Sequence, residues 1–464
     1  MIAQPTTRDS VQRLSLDEAL AQAKFLQRTE KLDEADTIYS EILEQIPQEP
    51  NALHFLGILR HQQGDAQNAI RLIRQAAELM PDEPGPWVNL GNVLLEGACV
   101  DDAVDAYEHA AAMAPDLVLP LNNLGILHGR RRRWDQAEDC FKRGLRLAPD
   151  CSYLHHNYAR MLHAAGRLRE AAAHGLQSLE LDPTSGTARK LLSMSYFLLG
   201  ETAKAVSNLE QWRALEPDNP EIAHHLAACG SGEIPGRASD AYVERVFDEF
   251  ASSFDQQLQS LGYRAPQLVH AALERMTSAI GPAPFILDVG CGTGLCGALL
   301  RPHARSLHGV DLSAGMMVRA RERGIYDALH RQELTAYLHS TSEAYDVIVS
   351  ADTLCYFGAL EDFLAGARQA LRPSGVLIFS LEAATDETSR FELQVHGRYA
   401  HSSRYVEDAL AAAGFTLASL EREVLRHEFI QPVQGLIVVA TLAESAATPA
   451  LDAATRSLDR LTRA

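Results

Sequence analysis

Pro47, Pro81, Pro115, Pro149, Pro183 and Pro217 stand 34 residues apart. Two further series keep the same interval: Ala35, Ala69, Ala103, Ala137, Ala171 and Ala205, and Ala23, Gly57, Gly91, Gly125, Ala159 and Ser193. A unit of this length holds two short helices and their turns. The small residues let paired helices approach closely, and the proline closes each unit. One such pair cannot bury its apolar face alone, so neighbouring units must stack into a solenoid with a concave surface. Six units cover residues 16–217, and Glu221–Gly230 begins a helix expected to cap the stack, so the array spans 16–230.

This period, with its small residues and closing proline, resembles the tetratricopeptide repeat. Asn89, Asn123 and Asn157 also recur at 34-residue spacing, two positions before the small residue of each first helix. A side-chain amide both donates and accepts, and a row of them could grip an extended peptide. The row resembles the asparagine ladder of protein O-linked N-acetylglucosamine transferases. The alternative is that Asn serves the repeat locally. Phe55 and Leu191 hold the position in flanking repeats, which leaves three rungs.

A Gly-, Ser- and Pro-containing stretch at 231–240 reads as a linker. The chain then changes character. The stretch "FILDVGCGTGLCG" at 285–297 is an apolar run closed by glycines, and Gly292, Gly294 and Gly297 form a literal G-x-G-x-x-G. Counted from the first glycine after the strand, Gly290, the spacing departs from a dinucleotide fingerprint. Asp288 inside the strand end would also repel a pyrophosphate. A sulfonium or ammonium ligand fits better. A second strand ends in Asp311, placed to accept from ribose hydroxyls, and further strand-like runs alternate with helix-length segments. That alternation implies a doubly wound, Rossmann-like α/β sheet.

Residues 241–442 resemble a class I S-adenosylmethionine-dependent methyltransferase. Asp288, Gly290, Gly292 and Gly294 match the family's first motif, and Asp311 its ribose-binding acid. The resemblance places Gln332 and Glu333 near the adenine amino group. The whole arrangement is similar to predicted bacterial methyltransferases that carry tetratricopeptide repeats. It implies S-adenosylmethionine as cofactor and leaves the acceptor open. A nicotinamide cofactor stays as a minor alternative, since Asp311 would serve that ribose equally well.

Val246, Phe250, Phe254 and Leu258 recur at i+4 and suggest one amphipathic helix, either core packing or a lid over the cofactor. Tyr263 just beyond it is expected nearest the cofactor. On the acceptor side, Asp352 and Tyr356 follow the fourth strand, and Arg398, Tyr399, His401 and Tyr405 lie between the fifth strand and the next helix. Asp352 and His401 are the candidate general bases, and Tyr356, Arg398, Tyr399 and Tyr405 the candidate substrate contacts. The bland readings are a helix cap for Asp352, a structural His401 and a surface ion pair for Arg398.

A net charge of −19 argues against nucleic acid or an anionic membrane as partner. Seven scattered cysteines without a CxxC pair suggest reduced thiols in a cytoplasm and no metal site. The start of the chain lacks a basic-then-apolar leader, and no apolar run reaches membrane-span length. Residues 1–15 and 443–464 read as tails. The expected function is a methyltransferase whose repeats recruit a protein or peptide acceptor. The alternatives are a small-molecule methyltransferase with repeats used for assembly, and an inactive adaptor.

Overall fold

A computed structural model describes residues 14–442 except 98, 429 and 430. The expected tail 443–464 and most of the expected tail 1–15 lie outside the described residues. Ser15 belongs to the first helix, Leu16–Arg28, as its cap: its hydroxyl accepts from the Glu18 amide and the Glu18 carboxylate accepts in return. Two compact units divide at Leu191/Leu192.

The first unit consists of helix pairs in strict alternation, such as Pro84–Glu96 with Val100–Met113 and Val118–Arg130 with Trp134–Leu147. In three successive repeats the first helix places a glycine against a bulky residue on its partner: Gly57 against Ile73, Gly91 against Tyr107 and Gly125 against Phe141. A Cβ on Gly91 would lie 2.6 Å from the Tyr107 ring, and one on Gly125 would lie 2.8 Å from the Phe141 ring. The repeated alanines Ala35, Ala69, Ala103 and Ala137 are all fully buried. Close approach, not helix propensity alone, therefore fixes the period. The asparagines join neighbouring repeats: Asn89 meets His54 at 2.9 Å, Asn123 donates to Asn92 at 3.4 Å, and Asn157 donates to Asn122 at 2.9 Å. All three are half-buried.

The second unit contains a nine-stranded sheet. Its strands are β1 (Phe285–Val289), β2 (Ser306–Asp311), β3 (Ala328–Arg331), β4 (Tyr345–Ser350), β5 (Leu371–Ala383), β6 (Phe391–Leu393), β7 (Tyr399–His401), β8 (Phe415–Glu428) and β9 (Gln431–Leu442). β3, β2, β1, β4 and β5 lie side by side and parallel. β9 runs antiparallel to β5, and β8 pairs with β9. The far end of β5 also pairs with β7, which forms a hairpin with β6. The central strands are apolar along their length because helices cover both faces, with Leu287, Val289, Ile348, Leu377 and Phe379 fully buried. The sheet order reverses between β1 and β4, and their carboxyl ends open the crevice where such sheets take ligands.

The last repeat helices belong to this second unit. Val395, in the β6–β7 turn, packs with Leu209, Trp212 and Ile222. His224 Nε2 lies 2.8 Å from the Gly397 carbonyl. The stretch expected as a linker is fastened to the sheet domain: Ala238 N–H donates to Tyr356 O, Gly358 N–H donates to Gly236 O, and the Tyr399 hydroxyl donates to Pro235 O. Its Gly and Pro serve a bound turn.

The single lid helix expected from the i+4 stripe is two helices, Asp240–Phe250 and Phe254–Ser260. Ala251-Ser252-Ser253 turns between them, since serine hydroxyls compete with the helical backbone. The break rotates the stripe. Val243 and Phe247 face the crevice with Phe254 and Leu258, while Phe250 is 42% exposed. No described helix is long and apolar enough to cross a membrane.

Candidate active site

Three left-handed glycines build the turn after β1: Gly290 (φ 72°), Gly292 (φ 54°) and Gly294 (φ 90°). Non-glycine residues rarely occupy that region. The turn lets Gly290 and Cys291 donate backbone N–H groups to Val310 O on β2, at 2.8 and 3.1 Å. It also brings Gly292 N–H to Asp311 Oδ2 at 2.8 Å, while Ser313 N–H reaches Asp311 Oδ1 at 2.9 Å. Asp311 is thus held by backbone on both oxygens, each with a lone pair left for another donor. Burial lifts its carboxyl above the usual range, and these backbone donors act against that rise.

The crevice is a cavity of about 220 Å³. Gly290, Gly292 and Asp311 form one side of it, Glu333 another, and Phe247, Phe254, Tyr263 and Tyr356 its aromatic walls. Glu333 follows β3 and caps the next helix: its Oε2 accepts from Ala336 N–H at 2.8 Å, and its Oε1 is buried with no partner. The two lid helices are pinned over the crevice by carboxylates. Asp248 accepts from Ser313 Oγ and Gly315 N–H, and Asp255 accepts from Thr293 Oγ1 and Arg323.

These residues fit S-adenosylmethionine. Asp311 offers free lone pairs where two ribose hydroxyls would donate, and the orphan Oε1 of Glu333 suits the donor of an adenine amino group. A Cβ on Gly292 would point into open space, so a ligand can approach the backbone there. The aromatic walls suit a sulfonium. When bound, this group supplies an electrophilic methyl.

Asp288 and Gly294 are not among the cavity-lining residues. Asp288 lies buried behind the glycine turn, where its Oδ2 accepts from the Tyr326 hydroxyl at 2.7 Å. A Cβ on Gly297 would collide with that hydroxyl at 2.1 Å, so the last glycine of the literal G-x-G-x-x-G makes room for Tyr326. The Asp288 carboxyl is raised to about 7, chiefly by burial, with the Tyr326 bond opposing the rise and the Asp311 charge adding to it.

On the acceptor side, Asp352, Tyr356 and Arg398 line the cavity and Tyr399, His401 and Tyr405 do not. His401 is fully buried, with Nε2 3.1 Å from Gly358 O, and burial lowers its imidazole to about 4. The Tyr399 hydroxyl is taken by Pro235 O. Tyr405 sits in the helix Ser403–Ala412, where its hydroxyl donates to Glu361 and accepts from Leu360 N–H. These three hold the hairpin and the strand-end loop in place.

Sequence reasoning missed the largest group at the site. Arg426, on β8, is 2% exposed. Its guanidinium bonds Asp352 Oδ2 at 2.7 Å, Glu428 Oε1 at 2.7 Å, and Glu382. Arg398 bonds Glu382 Oε1 at 2.6 Å and also Glu428. The two guanidinium groups hold Glu382 and Glu428 below the usual carboxylate range although burial alone would raise them. Arg426 and Glu428 share one face of β8 two residues apart, and that alternation was the available signal. Asp352, Cys355 and Glu382 also place ligand atoms within 4.8 Å of one another, but Arg426 already bonds both carboxylates.

Comparison with known proteins agrees with this geometry. Residues 287–377 match the family model of a methyltransferase domain, and residues 52–86 and 122–186 match tetratricopeptide repeat models. The human methyltransferase-like protein 27 is 45% identical over 114 residues, which cover 24% of this chain and 43% of that protein. The chain thus spans less than half of that relative. A malonyl-[acyl-carrier protein] O-methyltransferase of Paenibacillus is 25% identical over 44% of this chain and 81% of that protein. A solved S-adenosylmethionine-dependent methyltransferase from Mesorhizobium loti aligns over 37% of this chain and 96% of its own, with 21% identity and a TM-score of 0.31. In one chain, residues that match tetratricopeptide repeat models thus precede residues that match the model of a methyltransferase domain.

Proposed function

We propose that the chain transfers a methyl group from S-adenosylmethionine to a protein or peptide acceptor recruited by its repeats. The observation that carries the transfer is Asp311, held by two backbone donors at the strand end and flanked by the orphan oxygen of Glu333. The half-buried amides of Asn89, Asn123 and Asn157 recur at one repeat position and support a peptide-sized partner. In this reading Asp311 and Glu333 orient the nucleoside and Gly290 and Gly292 admit it. Tyr263 and Phe247 exclude water, and Asp352 with Tyr356 borders the acceptor. Methyl displacement needs alignment and desolvation more than a covalent nucleophile. His401, sealed from the cavity and bonded to a carbonyl, positions the loop after Tyr356.

A small-molecule acceptor is the second reading. It is favoured by relatives named for trans-aconitate and ubiquinone biosynthesis. The test feeds methyl-labelled S-adenosylmethionine to a lysate with the full chain, and separates protein from metabolites. Label in protein that vanishes with Asp311→Ala supports the proposal. Label confined to metabolites selects the second reading. Failure of the wild type to bind S-adenosylmethionine in calorimetry rejects both.

A further inference from the structure

The charges around Asp352 bear on the acceptor's chemistry, given the methyltransferase reading above. The three arginines that line the cavity are all engaged: Arg237 with Asp240, Arg398 with Glu382 and Glu428, and Arg426 with Asp352, Glu382 and Glu428. Around the two buried guanidinium groups stand three carboxylates, so the fully ionised knot holds one negative charge in surplus. That surplus has an address. Oδ2 of Asp352 accepts from Arg426, whereas Oδ1 is shielded from water and has no hydrogen-bond partner.

An orphan buried carboxylate oxygen is costly. Asp352 also sits at φ 57°, where a non-glycine residue is strained. Ser380 Oγ accepts its backbone N–H at 2.7 Å and helps hold that conformation. A strained, under-bonded acid that follows the strand end and lines a cavity is placed to receive a donor. Electrostatics select which donor. An incoming carboxylate would meet surplus negative charge, and among the described lining residues every arginine already has a carboxylate partner. An ammonium group would find an acceptor in Oδ1 and a net attraction from the knot. It would also find aromatic walls in Phe247, Tyr263 and Tyr356. Phe247 and Tyr356 already meet edge to face, with ring centroids 5.3 Å apart.

We propose that the acceptor group for this cavity is an amine that arrives as an ammonium ion, with Oδ1 of Asp352 taking first its hydrogen bond and then its proton. The proton passes from nitrogen to Oδ1, and the freed lone pair forms the new N–C bond to the methyl carbon. The C–S electron pair stays on sulfur, leaving a neutral thioether. The proton returns to water as the methylated amine departs. Burial raises the Asp352 carboxyl above the usual range, which suits it to hold that proton.

The test titrates the full chain by calorimetry. S-adenosylmethionine goes first, and its failure to bind would reject the underlying reading. Protein saturated with S-adenosylhomocysteine is then titrated with n-butylammonium and, separately, butyrate. The expected result is at least about tenfold tighter binding of the ammonium ion. Asp352→Asn should remove that preference while S-adenosylhomocysteine affinity, the control for folding, changes less than about twofold. Arg398→Met, which deletes a positive charge from the knot, should strengthen ammonium binding. Equal or tighter binding of butyrate overturns the proposal with the cofactor reading intact. So does silence of both ions at about 100 mM, or a preference that survives Asp352→Asn. Should that variant not fold, the wild-type contrast between the two ions decides.

Discussion

Gly125 in the repeats and Gly290 in the turn after β1 both exclude a side chain, for different reasons. At Gly125 the backbone is ordinary helix, and the obstacle is the Phe141 ring, 2.8 Å from where a Cβ would stand. At Gly290 there are two obstacles: the left-handed φ of 72°, and Thr353, whose Oγ1 lies 2.2 Å from the same virtual atom. The repeat array uses small residues to bring helices together, so its constraint is shared between two side chains and can be renegotiated. The equivalent place in the next repeat holds Ala159, with Gly175 where Phe141 stands. The ligand turn uses glycine for handedness, which no neighbour can compensate.

The sharpest way to break this comparison is Gly290→Ala with and without Thr353→Ala. Alone, the first should cost about 3 kcal/mol or more through φ strain and overpacking together, read as at least about a hundredfold loss of S-adenosylmethionine affinity in calorimetry. The double variant removes the collision and leaves the strain, so less than about tenfold should return. Full recovery would show that sterics alone had demanded the glycine.

Asp288 behind the same turn gives an effect with a definite pH sign. Its carboxyl titrates near 3.8 in an ordinary setting and is raised to about 7 in the fold, first by burial. Folding therefore takes up a proton between these values. Its contribution is fully present below the lower value and is lost as pH rises through the higher one. Asp288→Asn cannot titrate, so its stability relative to wild type should climb from pH 4 to pH 8. The shift bounds the gain at on the order of 4 kcal/mol. Urea denaturation of both proteins at the two pH values measures it. A difference that does not change with pH would mean that the carboxyl keeps its ordinary value in the fold and that burial does not raise it.

The legibility of the sequence follows the same division. The repeats can be read because one constraint is written six times, and chance does not place six prolines 34 residues apart. The glycine turn and Asp311 can be read because their chemistry is local, within a strand, a turn and the next strand end. The acceptor knot could not be read this way. Asp352 and Arg426 are 74 residues apart, Glu382 joins them from a third strand, and an arginine inside a β-strand resembles any surface-strand arginine until its neighbours are known. His401 misled for the converse reason. A histidine on a substrate-facing insertion has suitable intrinsic chemistry, but the short pairing of β7 with β5 turns it inward, and a carbonyl rather than a ligand receives it. The lid stripe was half legible: apolar spacing located the segment, and two serines decided which residues reached the cavity.

In the repeats the comparison predicts smaller, compensable effects. Gly125→Ala should cost about 1–3 kcal/mol of stability by overpacking, and Phe141→Leu in the same chain should restore most of it. Such rescue, tested by thermal denaturation, is what Gly290 should refuse. Below this lies Asn157→Ala. Its amide donates to Asn122 Oδ1 at 2.9 Å across the repeat boundary, and losing one half-buried neutral hydrogen bond costs about 0.5–1.5 kcal/mol. That small loss separates two roles for the asparagine row. If the amides only clamp neighbouring repeats, the triple change Asn89→Ala, Asn123→Ala and Asn157→Ala lowers the melting temperature and leaves protein methylation per folded molecule unchanged. If they also hold an extended acceptor, methylation of protein falls while S-adenosylmethionine affinity and ammonium binding in the cavity stay as they were. The proposed recruitment of a protein acceptor predicts the second pattern, and the first would leave the row a clamp between repeats.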